Sequence, residues 1–597
     1  MLENNRDEIN YHKFLKSVRK SQGASLEKTG FGVYTKSGMS RVEAGTRLPD
    51  KLVRDRLTAR LGISGEEYEE YLLPREYRQW QLRMEIIRCI NKKEIASAEE
   101  KIDTYKSLYD INSVEKQFIE TMRYMVYEMK GYADEVLQAQ IYNALICTVP
   151  DIDAAFAGVQ LLADQELNLI MEYVRLTTPE IPKLNATEWR LKEYNNIVTY
   201  VENSRMDKIA QAKVYSKLAC LVAELILTEY VTEDGLRYAL ELCTRAIEAL
   251  RDTVRLYYFV ELNEYRIKLI EKIVALNCYE KENNELQGLL ETSREWAKLL
   301  CELYTENNLS IYMENFAYLY TETECNNVSF VIRARRAMMG LTREKFCNNL
   351  CDERTVMRIE HEEGNPSMAI VRTLFDRVGI CAEYKRARVI TSNAEAMDIS
   401  QKVFNLMDDY NHENAMLYLE KLYEYVDVEI PYNEQKLRRQ ELAIERREKH
   451  IDNENQIEEL IDILECTLSL DCVMSRGKKY FTITELECLH DFATHTRGKE
   501  QLRSKEILEN LCDDENFNIT NCCIYTLLMN RIACIYGNEG KYEESNSVSN
   551  KLLKESLFNR KMYAITGCIY NVLWNYQQMK SVDNNYVIKQ LYRAYLI

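Results

Sequence analysis

The chain has 597 residues, 46% of them hydrophobic and 29% charged, and carries a net charge of −17. That length exceeds what one hydrophobic core organises, so roughly three to five domains or a repeat array are expected. The composition excludes a disordered chain, no stretch reaches the ~18 apolar residues of a membrane span, and the acidity excludes a protein that coats nucleic acid indiscriminately.

Only 19 Gly and 7 Pro punctuate the sequence. Sheets joined by many tight turns need more, so an all-α chain of long helices with short connections is expected. The opening MLENNRDEIN is polar and acidic and does not read as a secretory signal. The 18 cysteines lack the spacing of a disulfide framework and read as reduced thiols in a cytoplasmic protein.

In chain order, the first feature is a basic segment. Residues 11–64 hold twelve Lys and Arg against Glu27, Glu43, Asp50 and Asp55, a net of +8 on an acidic chain. That is the footprint of a localised nucleic-acid site. A first amphipathic helix is expected to end near Gly23, with Ser25 capping a second helix and Thr35 a third. Pro49 precedes a further helix, and five short helices are expected in all.

The same pattern returns 317 residues later. Residues 14–63 align without a gap to residues 331–380, superposing Arg19 on Arg336, Gly23 on Gly340, Ser25 on Thr342, Arg41 on Arg358, Glu43 on Glu360, Pro49 on Pro366 and Gly62 on Gly379. Two of only 7 prolines in register argue against chance. The second copy is less basic: from Val328 to Arg386 eleven bases face eight acids, a net of +3.

These residues resemble the Xre/Cro type of helix-turn-helix, through the pattern G-[LA]-[ST]-x-E, then R-[IV]-E, Pro and Gly-Ile. The shortened turn is similar to that of the Rgg/PlcR peptide-sensing regulators of Gram-positive bacteria. The resemblance covers about 55 residues per copy, and GLTREKFCNNLCDERTVMRIE is the closer match. The first copy departs at Thr29, where the second has Phe346, and at Gly30 and Gly32. The resemblance implies a DNA-binding bacterial-type regulator with the third helix in the major groove. It also implies a buried ion pair, Arg19 with Glu43 and Arg336 with Glu360, that sets the angle of that helix.

Helical spacing buries Met39 and Val42 of the third helix, or Val356 and Ile359 in the second copy. It exposes Lys36, Ser37, Ser40 and Arg41 in the first copy, and Glu353, Arg354, Met357 and Arg358 in the second. Lys and Arg suit the O6 and N7 acceptors of guanine, and Ser is permissive. Ser25 opens the second helix, where backbone amides suit a phosphate. The DNA-binding candidates are therefore Ser25, Lys36, Ser37, Ser40, Arg41, Arg354 and Arg358.

The division expected is a helix-turn-helix domain at 1–72, helical repeats at 75–327, a second helix-turn-helix domain at 328–385, and repeats at 386–597. Each repeat region has room for roughly six or seven 34-residue hairpins. NRIACIYGNEGKYEES, with Asn530, Ala533, Tyr536, Gly540 and Tyr542, has tetratricopeptide spacing. Tyr230, Gly235, Tyr238 and Ala246 form a weaker relative. Pro150, Pro179, Pro182 and Pro431 are expected in hairpin loops.

By the resemblance, the concave face of such repeats holds a short signalling peptide, with asparagines pairing its backbone. The candidates are Asn530 and Asn571, with Tyr536 and Trp574 as apolar walls. No phosphate loop, HExxH or CxxC pair is present, so neither enzyme chemistry nor a cofactor or metal is expected. Two readings stand. One is a transcriptional regulator of double-stranded DNA, not membrane-bound, acting as a homodimer through the first heads (the preferred form) or as an intramolecular pseudo-dimer. The other is a tetratricopeptide-type scaffold for protein partners, with the heads kept as packing domains.

Overall fold

The computed structural model describes residues 11–64, 68–177, 185–276, 280–321, 325–364, 366–381, 385–386, 389–449, 453–514, 517, 522–581 and 583–596. Apart from three short strands the described chain is all-α. The first half runs α1 (Tyr11–Ser21), α2 (Leu26–Gly30), α3 (Lys36–Glu43), α4 (Lys51–Arg60), β1 (Tyr68–Leu72), α5 (Pro74–Asn91), α6 (Ile95–Leu108), α7 (Ser113–Met129), α8 (Asp134–Leu145), α9 (Ile152–Phe156), α10 (Asp164–Leu176), α11 (Ala186–Asn203), α12 (Lys208–Glu229), α13 (Glu233–Asp252), α14 (Phe259–Leu276) and α15 (Glu280–Glu306).

After β2 (Cys325–Asn327) the same order returns: α16 (Val328–Met338), α17 (Arg343–Cys347), α18 (Glu353–Glu360), α19 (Met368–Asp376), β3 (Lys385–Arg386), α20 (Ala394–Asp408), α21 (His412–Tyr425), α22 (Pro431–Lys449), α23 (Asn453–Glu465), α24 (Leu470–Val473), α25 (Ile483–His495), α26 (Lys499–Cys512), α27 (Cys522–Asn538), α28 (Tyr542–Phe558), α29 (Ile565–Gln578) and α30 (Asn584–Leu596). Among the described residues every α-helix of the first half has a counterpart fifteen labels later. No helix among the described residues is long and apolar enough to cross a membrane.

The short helices begin where side-chain oxygens catch free amides. Ser25 accepts from Lys28 N at 3.1 Å and Thr342 from Lys345 N at 3.2 Å. Thr35 and Asp352 do the same for α3 and α18, and Asp50 and Ser367 for α4 and α19. Among the described residues four helices, not five, precede β1 in the first half and β3 in the second.

The strands were not foreseen. They are two to five residues long, below the length at which alternation can be read. β1 lies between β2, parallel, and β3, antiparallel. In the antiparallel pair Tyr68 faces Arg386 and Glu69 faces Lys385, so two segments 317 residues apart pair with each other reciprocally. A second reciprocal contact joins the α13–α14 and α28–α29 turns. Arg255 bridges Lys561, Leu256 N donates to Arg560 O at 2.8 Å, and Met562 N donates to Val254 O at 2.9 Å. Contacts in which residue i meets j and j meets i are those of a two-fold axis.

The core of the first half is continuous from Phe14 and Met39 on the first helices through Phe118 and Leu218 to Leu303. In the second half, Val331, Phe346, Ile359 and Phe375 form a separate cluster. Tyr71 of β1 enters that cluster, its ring 4.9 Å from Phe375.

Three sequence expectations need correction. Pro431 opens α22 and Pro74 opens α5, since the first helical position needs no amide; Pro150 does lie between helices, and Pro179 and Pro182 fall outside the described residues. Gly235 is not a turn glycine but sits in the first turn of α13, where its N–H donates to the cap Thr232. Each body has eleven helices among the described residues, nearer five hairpins than six or seven.

Candidate nucleic-acid interface

α3 rests on the head core through Met39 and Val42, both fully buried. One face of this two-turn helix is thereby fixed inward, which leaves Lys36, Ser37, Ser40 and Arg41 exposed together, with Ser25 exposed on the neighbouring helix start. Arg41 has no carboxylate partner among the described residues. Lys36 faces Glu27 at 3.5 Å with both side chains exposed, a pair worth about 0–1 kcal/mol. Lys28 and Arg47 extend the exposed basic rim, the Arg47 guanidinium lying 4.3 Å from the Tyr34 ring centre.

The orientation of α3 is set by the expected ion pair. Arg19 Nη2 donates to Glu43 at 2.8 Å, its Nε donates to the other oxygen, and Nη1 donates to Ala24 O at 2.6 Å. Arg336 binds Glu360 at 2.5 Å and Leu341 O at 2.6 Å in the same geometry. Glu360 is also held by Arg343 at 2.7 Å. Burial pushes the Glu360 carboxyl up, but its hydrogen bonds from Arg336 and Arg343 outweigh that and hold it below its ordinary range.

In the second head Val356 and Ile359 are buried, and Glu353, Arg354, Met357 and Arg358 are exposed. Neither Arg354 nor Arg358 has a carboxylate partner among the described residues. The exposed Glu353 makes this face less favourable to phosphate than that of α3.

The basic excess of the first head is smaller at the surface than in the sequence. Every residue of α4 is buried, because the helix is sandwiched between the head core and α7. Lys51 pairs with Asp55 at 2.6 Å and Glu70 at 3.2 Å, and Arg54 with Glu70 at 2.7 Å and Glu76 at 3.0 Å. Arg56 and Arg60 both meet Glu166, at 3.2 and 2.6 Å. With Arg19, five of the twelve bases are thus spent on structure, and the exposed ones are Lys16, Lys20, Lys28, Lys36, Arg41 and Arg47.

Arg60 and its counterpart Arg377 were missed by sequence reading, although they align identically. Arg60 Nη1 donates to Thr29 O and Phe31 O, at 3.1 and 2.5 Å. Arg377 donates to Phe346 O at 2.9 Å and Asn348 O at 2.5 Å. Each closes the carbonyl end of the second helix.

The bodies receive the heads differently. Gln117 donates to Thr148 Oγ1 at 2.7 Å, and Thr148 donates to Glu166 at 2.5 Å. Gln435, Thr467 and Glu485 repeat that chain at 2.9 and 2.7 Å. The first trio takes Arg60 from the end of α4. The second takes Arg335 from α16, at 3.0 Å to both Glu485 oxygens.

The close backbone approach changes in parallel. A Cβ on Gly32 would lie 2.2 Å from Thr148 O, whereas in the second half it is Gly379 whose Cβ would lie 2.1 Å from Thr467 O. Gly32, a departure from the family pattern, is therefore required by the body that packs on it. Gly30 is likewise required, since a Cβ there would lie 2.3 Å from Met39 Cγ.

At the proposed peptide face, Asn571 Nδ2 donates to Asn530 Oδ1 at 2.9 Å, so α29 and α27 do bring the two amides together, both half-exposed. The expected walls, Tyr536 and Trp574, make contacts of their own. Tyr536 lies under the Lys505 ammonium at 4.4 Å, beside α26, while Trp574 packs edge-on to Tyr542. Among the described residues no cluster of His, Cys, Asp and Glu could hold a metal ion.

No family model and no curated protein matches the chain. Among solved structures it is similar to the crystal structure of Bacillus thuringiensis PlcR in complex with the peptide PapR7 and DNA, at 17% identity. That match covers 45% of this chain and 92% of that one with a TM-score of 0.29, which leaves function to be argued from the chain's own residues.

Proposed function

We propose that this chain is a cytoplasmic, sequence-specific DNA-binding regulator made of one duplicated module, with helix-turn-helix heads at 1–72 and 328–385 and tetratricopeptide-like bodies at 75–327 and 386–597. The observation that carries the reading is the exposed row Lys36, Ser37, Ser40 and Arg41 on a helix locked by Arg19 and Glu43. Side chains that reach base edges must be both solvent-facing and rigidly aimed, and this row is both. The reciprocal β1–β3 and 255–561 contacts support the intramolecular pseudo-dimer over the homodimer, since one chain already holds the two-fold contact. Asn530 and Asn571 remain the proposed contacts for a short peptide.

The scaffold reading draws support from the buried, neutralised α4, which makes the first head part of one continuous core with its body. Binding of the purified chain to duplex genomic fragments across a salt series separates the two. Each first head offers six exposed bases, so log affinity should fall against log salt with a slope of up to about −5 per first head bound, to which the exposed Arg354 and Arg358 add in the pseudo-dimer. One chain per operator fits the pseudo-dimer, and two fit the homodimer. Absence of duplex binding at low salt removes the regulator reading.

A further inference from the structure

A cavity of about 520 Å³ opens between the α24–α25 loop and α26, far in sequence from both recognition helices. Arg476 and Lys479 from the loop and Lys499 and Arg503 from the helix line it, with Glu506 as the one acid. None of these four bases has a carboxylate partner among the described residues, on a chain whose net charge is −17. Lys479 donates only to Val473 O, Ser475 O and Ser475 Oγ, and Arg503 to Met474 O. Burial, then the nearby Arg503, push the Lys479 ammonium below its ordinary value. Like charges held together without a counter-ion cost free energy that an anion would recover. The start of α26, where Lys499 lines the cavity, has no side-chain cap, because its cap residue is Gly498.

The corresponding loop of the first half is built differently. Its α9–α10 loop, residues 157–163, carries no base and is two residues shorter than residues 474–482. It is closed by the first head, Leu161 N donating to Lys28 O at 3.1 Å. The second head meets this region through Arg335 on Glu485 and through Met338, whose Sδ accepts from Tyr480 N at 3.4 Å.

We propose that this cavity binds a small phosphate-bearing molecule with at least two negative charges. Four cations exceed what a monocarboxylate would neutralise, and the volume falls within the roughly 300–1,000 Å³ of small-molecule sites. Ile507 of the cavity wall belongs to the same apolar cluster as Met338 at the end of α16, which gives occupancy a route to the second head.

The test is calorimetry of the full chain with pyrophosphate, with inorganic phosphate and duplex DNA as separate arms, on wild type and on the double variant Arg476→Ser, Lys499→Ser. Both side chains are exposed and make no ion pair, so the ligand-free melting temperature should not move. Pyrophosphate should bind wild type, with affinity at least tenfold weaker in the variant. No pyrophosphate binding at millimolar concentration, or equal binding by the variant, overturns the proposal. Loss of duplex binding in the variant without any pyrophosphate heat overturns it too, and makes the surface a DNA contact.

Discussion

Glu166→Gln tests how the first head is held. The carboxylate is completely buried and serves two buried guanidinium groups, Arg60 at 2.6 Å and Arg56 at 3.2 Å. Burial alone would push its pKa up, but Arg60 and then Arg56 outweigh burial and hold it at about 2, against an ordinary 4.5. That difference is worth roughly 3 kcal/mol to the folded state at neutral pH. Removing one partner of a buried pair costs about 3–5 kcal/mol by an independent route, because the other charge is stranded. The glutamine keeps the shape, so the loss is electrostatic.

Urea unfolding followed by hydrogen exchange should show a loss of about 3–5 kcal/mol in Glu166→Gln, with exchange rising first in residues 26–34 and 51–63. The sign of the pH dependence follows from the depressed pKa. The stabilisation is complete above 4.5 and is lost as pH falls from 4.5 towards 2, a dependence the variant lacks. A variant within about 1 kcal/mol of wild type, with unchanged exchange in those segments, refutes the reasoning.

Lys36→Ala and Arg41→Ala should each weaken specific duplex binding by about 1–3 kcal/mol in anisotropy titrations without altering unfolding; affinity equal to wild type would show that α3 does not read DNA. Burial, then the Asp50 charge, raise Glu115 to about 7, so its contribution is present below 4.5 and is lost as pH rises through 7. Glu115→Gln should therefore gain stability over wild type at pH 8 relative to pH 5, and a pH-independent offset contradicts this. Asn530→Ala and Asn571→Ala should abolish the calorimetric heat with short hydrophobic peptides while leaving the melting temperature in place; a fall in melting temperature with unchanged heat assigns the 2.9 Å amide pair to structure alone.

Much of the local design was legible in the sequence because it depends on residues close together in the chain. Ser25, Thr35, Thr342 and Asp352 cap helices by hydrogen bonds three residues long. Met39 and Val42 face inward because helical periodicity puts them on one side. The pairing of Arg19 with Glu43 could be carried over from a resemblance, since its separation recurs in both halves.

Tertiary structure decided what depends on residues brought together over long separations. The charge of α4 could be counted but not located, because Glu166, which absorbs Arg60, lies 106 residues away. The strands are too short to show a period, and the β1–β3 pairing exists only because the two halves meet. The sequence pattern, repeated at one offset, predicts two equivalent heads. Their seats differ because a buried carboxylate accepts whichever arginine the packing delivers, Arg60 in one half and Arg335 in the other.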